Sequence, residues 1–272
     1  MKHKITSQII KKLSYTDFVG LINQWNVPPG AHATINKWIQ YARIDNKSKI
    51  LDIACTTGFS SREISLVTKC SGVGIDISKS SINRAKQNLK SSNQKLGINY
   101  INIDSYKYLS NKKFTHIVFG ASLRFFNNPE KMLEKSLLML KNEGYILASE
   151  FFITKPIPQS LVKKAKNIFG INITRVGYKD VMKIYEGLEI LYEDKNDLVP
   201  ETDQELIYYC ESTTDRAMKI LKTDDNKIYK TIFDRLYSIK KMSNILRPYQ
   251  KYNVLVLRYR KNIYPNRYVE LF

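Results

Sequence analysis

The sequence predicts an α/β fold in which helices cover both faces of a doubly wound parallel sheet, with helical insertions added at one edge. The main observation is that short apolar runs and helical periods alternate with short loops along residues 31–153. This rhythm stops after Phe152, where two prolines and longer helical periods follow. A last apolar run, YNVLVLRYR at 252–260, is typical of a strand. Right-handed crossovers between parallel strands would place successive helices on the two faces.

The individual elements are predicted from the periodic spacing of apolar residues and from the residues that begin or end helices and strands. Strands are predicted at 49–54, 72–77, 99–103, 114–120 and 144–152. Helices are predicted at 31–42, 60–68, 80–89 and 129–140, the last beginning with a proline. Later helices are predicted at 160–169, at 178–186 and within 203–245.

We expect residues 1–272 to form a single domain, because no linker, internal repeat or low-complexity tract interrupts them. Residues 1–30 form a helical lead-in, and residues 31–153 form the core. Residues 154–251 carry helical insertions with an outer strand near 188–193, and residues 252–260 form the last strand.

Composition excludes several classes of protein. The chain has 272 residues, 43% of them hydrophobic, which is enough for a substantial core. No run approaches the roughly 18 uncharged apolar residues of a membrane span, and the start of the chain lacks a secretory pattern, so we expect a cytoplasmic protein. Cys55, Cys70 and Cys210 are too far apart for a zinc cluster and odd in number, so we expect ordinary thiols and no metal.

The formal net charge of +19 allows two interpretations. A basic surface is the electrostatic footprint of a nucleic-acid-binding protein. The excess is spread along the whole chain, however, and no basic tail exists. A solvated basic surface is therefore favoured, and a nucleic-acid partner stays open as the alternative.

Three successive predicted strands end at or just before an aspartate: Asp52, Asp76 and Asp104. In an open parallel sheet, ligands bind beyond the carboxyl ends of the strands. Asp76 lies 24 residues after Asp52, a spacing suited to binding ribose hydroxyls, and Asp104 could accept from an exocyclic amine. The loop after the first strand, DIACTTG, has too few glycines for a pyrophosphate and no P-loop lysine. The sequence therefore predicts a ligand with a ribose and a base, without phosphate, and with a cationic group near Asp52.

S-adenosylmethionine fits that description, and the motifs that carry the site resemble those of a known family. The stretches ILDIACTTGFSSREI, GVGIDIS, INIDSYKY, FGASLRFFNNPEKML and GYILASEFF are similar, in order, to the motifs of class I S-adenosylmethionine-dependent methyltransferases. The similarity is to the small-molecule branch, methyltransferase type 11 or quinone-biosynthesis-like. It implies a Rossmann-like sheet of about seven strands whose last strand, 252–260, is antiparallel. It also implies S-adenosylmethionine as cofactor and S-adenosylhomocysteine as product.

The resemblance assigns cofactor contacts residue by residue. The loop from Asp52 to Gly58 would pack against the methionine moiety, Asp76 would bind the ribose and Asp104 the adenine amine. The family usually has glycine at the positions of Ala54 and Thr56, and Thr56 would crowd the backbone if a positive φ were required there. The complete set is Asp52, Ala54, Thr56, Gly58, Asp76, Ile77 against the adenine, Asp104, Ser105, and Gly120, Ala121 and Ser122 under the methionine portion.

Methyl transfer from a sulfonium needs positioning in a dry pocket more than a dedicated catalyst. If the acceptor requires a base, the candidates are His32, Glu150 and Tyr178. Arg124 stands where relatives often carry histidine, which indicates an anionic group in the substrate pocket, although a surface or ion-pair role is the competing interpretation.

The acceptor class follows mainly from missing motifs. Neither the Asn/Asp-Pro-Pro-Tyr/Phe loop of base-amine methyltransferases nor a Pro-Cys nucleophile is present, so a small-molecule acceptor is favoured. Two alternatives stay open, an RNA methyltransferase and a non-catalytic S-adenosylmethionine-binding protein; the oligomeric state is not predicted. The insertions would build an apolar lid over the acceptor. Its expected walls are Tyr178, Tyr185, Tyr208, Tyr209 and Met218. Tyr15 and Trp25 are interpreted as packing residues of the lead-in, with a lid over the cofactor as the alternative.

Overall fold

The computed structural model describes residues 5–25 and 27–265. Its helices are α1 (Ser7–Lys12), α2 (Tyr15–Ile22), α3 (Ala31–Tyr41), α4 (Phe59–Thr68), α5 (Lys79–Lys90), α6 (Pro129–Leu137), α7 (Gln159–Phe169), α8 (Tyr178–Met182), α9 (Asp203–Leu221) and α10 (Asn226–Leu246). Its strands are β1 (Lys49–Ile53), β2 (Ser71–Asp76), β3 (Gly97–Asn102), β4 (Phe114–Gly120), β5 (Leu140–Ala148), β6 (Phe151–Ile153), β7 (Glu189–Asp197) and β8 (Gln250–Tyr259). No helix in these two ranges is long and apolar enough to cross a membrane.

One mixed sheet organises the molecule. Its strand order is β3-β2-β1-β4-β5-β8-β6, and β7 also pairs with β8. Strands β1 to β5 pair in parallel, whereas β8 is antiparallel to β5, β6 and β7. The chain runs outward from β1 to β3 and then crosses back to β4, so the order reverses between β1 and β4. The predicted fold class is confirmed, and the reversal defines the edge where a ligand binds in such sheets.

The predicted strand at 144–152 is two strands in the structure. β5 ends at Ala148, and β6 begins at Phe151. Between them, the Glu150 amide donates to Asn253 Oδ1 at 3.0 Å, and the Glu150 carbonyl accepts from the Asn253 amide at 3.0 Å. This local exchange interrupts the β5–β8 ladder, which accounts for the eight strands of the described sheet against the expected number near seven.

Alternate residues of the central strands enter opposite cores. Leu51, Ile117 and Ile146 belong to the core on one face, whereas Ile50 and Val118 belong to the core on the other. Strands buried on both faces are near-continuously apolar, which explains the runs seen in the sequence.

A third core lies among helices away from the sheet. Ile10 and Phe18 of the lead-in share it with Ile232, Leu236 and Ile239 of α10. The predicted helical stretch within 203–245 is broken between α9 and α10, where Lys222 adopts a left-handed conformation and the Asp225 side chain caps α10. The lead-in and the late helices therefore form one layer held together by apolar contacts. In the following sections we call this layer, made of α1, α2, α7, α9 and α10, the helical cover.

Candidate functional site

A cavity of about 1800 Å³ opens at the carboxyl ends of β1, β2 and β4 and continues beneath the helical cover. Asp52, Asp76 and Gly120 line it from the sheet side. Pockets for single small ligands usually measure about 300–1,000 Å³. The cavity is therefore large enough for two molecules side by side, and it lies at the reversal of strand order.

Asp76 holds the first loop in place. It is buried, and its Oδ2 accepts from the Thr56 amide at 3.0 Å while its Oδ1 accepts from the Ser78 amide at 2.8 Å. Burial raises the pKa of Asp76, and these two backbone donors partly offset the effect. The carboxylate therefore ties the loop after β1 to the end of β2.

Asp52 is also buried and lines the same cavity. Its Oδ2 accepts from the Ser61 amide at 3.2 Å. Burial raises the pKa of Asp52 to about 7, and the neighbouring charge of Asp76 acts in the same direction. Across residues 5–25 and 27–265, neither carboxylate has a cation within 4.0 Å. Burying two carboxylates without a cation costs free energy, and a cationic ligand would offset that cost.

The loop between β1 and α4 is built from left-handed residues. Ala54, Thr56 and Gly58 have φ values of 57°, 47° and 78°. A Cβ at Gly58 would lie 2.4 Å from the Tyr100 hydroxyl oxygen, and that hydroxyl donates to the Gly58 carbonyl at 3.0 Å. The φ of Thr56 is therefore positive, which is the case in which its side chain crowds the backbone. Ala54 and Thr56 both keep side chains in a backbone region that glycine adopts more easily. At Gly58 alone among the three, the Tyr100 ring excludes a side chain.

Helix α2 lies against the end of β2 and the start of α5. Asp17 Oδ1 accepts from the Ser78 hydroxyl at 2.6 Å, and the Ser81 hydroxyl donates to the Thr16 carbonyl at 2.8 Å. A Cβ at Gly20 would come within 2.4 Å of the Ser81 amide nitrogen, so glycine permits this close approach. The lead-in is thus fixed beside Asp76.

The cavity mouth is covered by Trp25, which is 49% exposed and lines the cavity. The guanidinium carbons of Arg62 and Arg216 lie 5.7 Å and 6.0 Å from its ring centroid. Arg235 of α10 donates to the carbonyls of Ile10 and Leu13, the latter at 2.7 Å. Tyr15 also lines the cavity, so the lead-in contributes a wall to it.

Most of the expected cofactor residues lie in one place. The cavity is lined by Asp52, Ala54, Thr56, Asp76, Gly120, Ala121 and Ser122. The lining does not include Gly58, Ile77, Asp104 and Ser105. Ile77 is 68% exposed, and Asp104 Oδ1 accepts from the Tyr106 amide at 2.9 Å in the turn after β3.

Asn102 is a residue that sequence reasoning missed. β3 ends there, two residues before Asp104, and Asn102 Nδ2 donates to the carbonyls of Asp76 and Ile77 at 3.0 Å and 2.8 Å. Its pairing opposite Asp76 in the β2–β3 register could have been found from the strand alignment.

None of the four expected catalytic residues is among those that line the cavity. The His32 ring packs against Phe59 at 5.2 Å between centroids. The Tyr178 hydroxyl donates to Glu193 at 2.8 Å, and its pKa is raised to about 12, first by burial and then by Glu193. Both side chains therefore have partners away from the cavity.

Glu150 and Arg124 belong together elsewhere. The Glu150 carboxyl is buried and accepts from the Tyr185 hydroxyl at 2.6 Å. Burial raises its pKa to about 7, whereas the Tyr185 hydrogen bond and the charge of Arg124 lower it. The charge of Arg124 thus acts on this buried carboxyl, and Arg124 is not among the residues that line the cavity.

The wall from the helical cover mixes apolar and polar side chains. Tyr208 and Tyr209 line the cavity, but Tyr178, Tyr185 and Met218 do not. Ile239 and Leu246 of α10 belong to the third core and also line the cavity, beside polar residues of α9 and α10. The lining from these two helices includes Ser212, Thr213, Arg216, Lys227, Lys230, Thr231, Asp234, Arg235, Ser238, Lys240 and Ser243.

Comparison with known proteins agrees with this geometry. Residues 44–234 match the family described as methyltransferase domain. A carboxy-S-adenosyl-L-methionine synthase from Nautilia profundicola is 31% identical over 168 residues, which cover 60% of this chain and 68% of that protein.

Solved structures share the fold over most of the chain. The crystal structure of MccD protein has a TM-score of 0.71 and 26% identity, and the alignment covers 87% of this chain and 100% of that one. A methyltransferase from Geobacter sulfurreducens, solved in complex with S-adenosyl-L-homocysteine, has a TM-score of 0.68 and 16% identity, with 90% and 98% covered. With its fold, its strand-end carboxylates and its family match, the chain belongs to the class I S-adenosylmethionine-dependent methyltransferases.

Proposed function

We propose that this enzyme binds S-adenosylmethionine over Asp52 and Asp76 and transfers its methyl group to a small molecule held beneath the helical cover. The observation that carries the proposal is the pair of buried carboxylates, both without a cationic partner among the described residues, on the floor of a cavity large enough for two molecules. The sulfonium would supply the missing positive charge near Asp52, and ribose hydroxyls would donate to Asp76.

The adenine would extend from Asp76 toward the next strand of the sheet. Ile77, Asp104 and Ser105 follow the ends of β2 and β3, and the Ile103 amide donates to the Asp76 carbonyl at 3.0 Å. This backbone pairing keeps the proposed adenine contacts close to Asp76, which supports their assignment. The loop through Ala54, Thr56 and Gly58 and the segment Gly120–Ser122 would border the methionine portion.

The chain's task in such a transfer is mainly geometric. Attack on the methyl carbon is an in-line displacement in which the thioether leaves, so orientation and exclusion of water supply most of the catalysis. Trp25 and the lead-in close one side of the cavity, while α9 and α10 close another. A small acceptor fits between these walls, which supports the small-molecule assignment over RNA.

A second candidate function concerns a carboxylated form of the cofactor. The Nautilia profundicola relative is named for making carboxy-S-adenosyl-L-methionine, and the cations in the cavity wall can pair with a carboxylate. Mass spectrometry of the nucleoside that the purified protein retains would distinguish the two. A carboxylated S-adenosylmethionine would favour this second candidate.

The binding half of the proposal is tested by calorimetry with S-adenosylmethionine and S-adenosylhomocysteine. The chain has two tryptophans, of which Trp38 is buried and Trp25 lines the cavity, so cofactor binding should also change Trp25 fluorescence. A Trp25→Phe variant removes that signal and serves as its control. Absence of heat and of a fluorescence change would contradict the proposal.

The transfer half uses S-adenosylmethionine labelled in its methyl group. Label that enters the small-molecule fraction of a cell extract is the expected result. Label in total tRNA would instead favour the RNA methyltransferase. Binding of cofactor with no transfer to either fraction would favour a non-catalytic binding protein.

Asp52 predicts a pH dependence of cofactor binding. Its pKa is about 7 in the folded protein against an ordinary value of 3.8. Between about pH 4 and 7 the folded protein retains a proton that the unfolded chain has released, so stability without cofactor falls as pH rises through this window. The ionised form attracts a sulfonium, so affinity for S-adenosylmethionine should rise between about pH 6 and 8.

S-adenosylhomocysteine is a neutral thioether at sulfur and is the matched control for this titration. Its affinity should change less over the same pH range, and an Asp52→Asn variant should remove the difference between the two ligands. Calorimetry at several pH values measures both. Parallel pH profiles for the two ligands in the wild-type protein would contradict the placement of the sulfonium near Asp52.

A further inference from the structure

Four exposed cations in the cavity wall have no carboxylate partner among the described residues. Lys11, Arg216, Lys227 and Lys230 all line the cavity. Within the part of the chain that the structure describes, none of their side-chain nitrogens has a carboxylate within 4.0 Å or donates a hydrogen bond. We call these four residues the cationic wall.

The other cations on that side have structural roles. Arg235 donates to backbone carbonyls of the lead-in, including that of Leu13. Lys240 and Arg247 lie 3.6 Å and 2.9 Å from the Glu201 carboxylate. The charges of these three residues are therefore used in contacts within the protein. Among the described residues, the four members of the cationic wall have no such contact with a carboxylate or carbonyl.

The four residues of the cationic wall lie on three helices, α1, α9 and α10. Lys227 and Lys230 are three residues apart on α10, so they lie on the same side of that helix. The Ser7 hydroxyl donates to the Lys227 carbonyl at 3.2 Å, which fixes α1, and with it Lys11 at its last turn, beside α10. Arg216 faces the cavity from α9, one turn after Ser212.

Lys227 lies in the first turn of α10, where the N-cap Asp225 carboxylate accepts from the Lys227 and Ile228 amides. Asp52 and Asp76 lie on the sheet side of the same cavity, so its two sides have opposite charges. The floor suits a cationic cofactor, and the wall suits an anionic partner.

We propose that the cationic wall binds a phosphate group of the methyl acceptor. The inference rests on the proposed function, because it takes the floor to be occupied by the cofactor. Several separate cations match a phosphate, with about two negative charges and three acceptor oxygens, better than a single carboxylate. Arg216 can engage two of those oxygens with its planar guanidinium, while the lysines act as point charges.

The decisive variant is the double replacement Lys227→Gln and Lys230→Gln. Its matched control is Lys86→Gln with Lys90→Gln, which removes the same charge from exposed positions of α5 that do not line the cavity. The probe is inorganic phosphate, titrated into protein saturated with S-adenosylhomocysteine and followed by phosphorus NMR. We expect the α10 pair to weaken phosphate binding about tenfold, which corresponds to 1.4 kcal/mol.

The control pair should change phosphate affinity less than about twofold, and S-adenosylhomocysteine should bind both variants as it binds the wild type. An Arg216→Gln variant provides a second, single-site test if the double variant unfolds at a lower temperature. Cofactor binding is measured separately, so failure of the wild type to bind S-adenosylhomocysteine would overturn the proposed function. The phosphate titration would then be made without cofactor and would still report on the wall.

Several results would overturn the phosphate assignment. Equal weakening by the two double variants would mean that phosphate senses only the overall charge. Acetate binding as tightly as phosphate would assign the wall to a carboxylate. Weaker S-adenosylhomocysteine binding in the α10 variant would assign it to the cofactor. Loss of tRNA binding without loss of phosphate binding would assign these lysines to RNA.

Discussion

The Asp76→Ala variant is expected to bind S-adenosylhomocysteine about tenfold to a hundredfold more weakly than the wild type. The carboxylate has two functions, because it accepts from the buried amides of Thr56 and Ser78 and would accept from the ribose hydroxyls. Each buried donor left without an acceptor costs about 1–3 kcal/mol. We therefore expect a lower melting temperature as well as weaker binding, measured by calorimetry and thermal unfolding.

An Asp76→Asn variant separates these two effects. Its amide oxygen can still accept one backbone hydrogen bond, so stability should recover in part while ribose binding stays impaired. Asp197→Asn, on the exposed end of β7, is the control and should leave affinity unchanged. Wild-type affinity in both Asp76 variants would contradict the placement of the ribose.

The Gly58→Ala variant is expected to lose about 3 kcal/mol or more of unfolding free energy. Gly58 has a φ of 78°, where a Cβ costs about 1–2 kcal/mol, and the new methyl would overlap the Tyr100 ring at 2.4–2.9 Å, which adds about 1–3 kcal/mol. The displaced ring would also lose its hydrogen bond to the Gly58 carbonyl. Urea unfolding measures the loss.

Ala54→Gly is the matched test within the same loop. Ala54 also has a positive φ, so removing its methyl relieves the backbone and should leave the unfolding free energy unchanged or higher by up to about 1 kcal/mol. Opposite signs at the two positions would support a left-handed conformation at both Ala54 and Gly58. A destabilised Ala54→Gly together with an unaffected Gly58→Ala would contradict this loop geometry.

The strand-end carboxylates were predictable because they depend on local pattern. Apolar strands and amphipathic helices in alternation determine where a parallel sheet ends its strands, and Asp52 and Asp76 come at those ends. The sequence also showed that Thr56 would crowd the backbone if its φ were positive. Whether φ is positive there depends on how the loop turns from β1 into α4, which the structure supplied.

The polar part of the wall opposite the sheet was not predicted. Helices α9 and α10 are amphipathic, and an apolar lid was expected from their Tyr, Ile and Met content. Much of their apolar surface packs with Ile10 and Phe18 of the lead-in in the third core. A helix with two faces does not reveal which face its neighbours will cover, because that depends on contacts with segments more than 200 residues away in sequence.

The partners of the expected catalytic residues were not predictable from the sequence. Glu150 lies two residues after the end of β5, and its buried carboxyl accepts a hydrogen bond from Tyr185 in the segment after α8. The Tyr178 hydroxyl donates a hydrogen bond to Glu193 of β7. These partners come from the insertions, and no periodic pattern in the sequence predicts how the insertions pack.

The sequence by itself determined the alternating sheet, the position of its ligand-binding edge and the two acids of the cavity floor, since all three follow from short-range periodicity and strand ends. Only the tertiary structure decided which groups face the cavity from above. Lys11, Arg216, Lys227 and Lys230 line one cavity because the lead-in and the late helices meet in the third core. That meeting depends on long-range apolar packing, which determines which side chains of these helices are left toward the cavity.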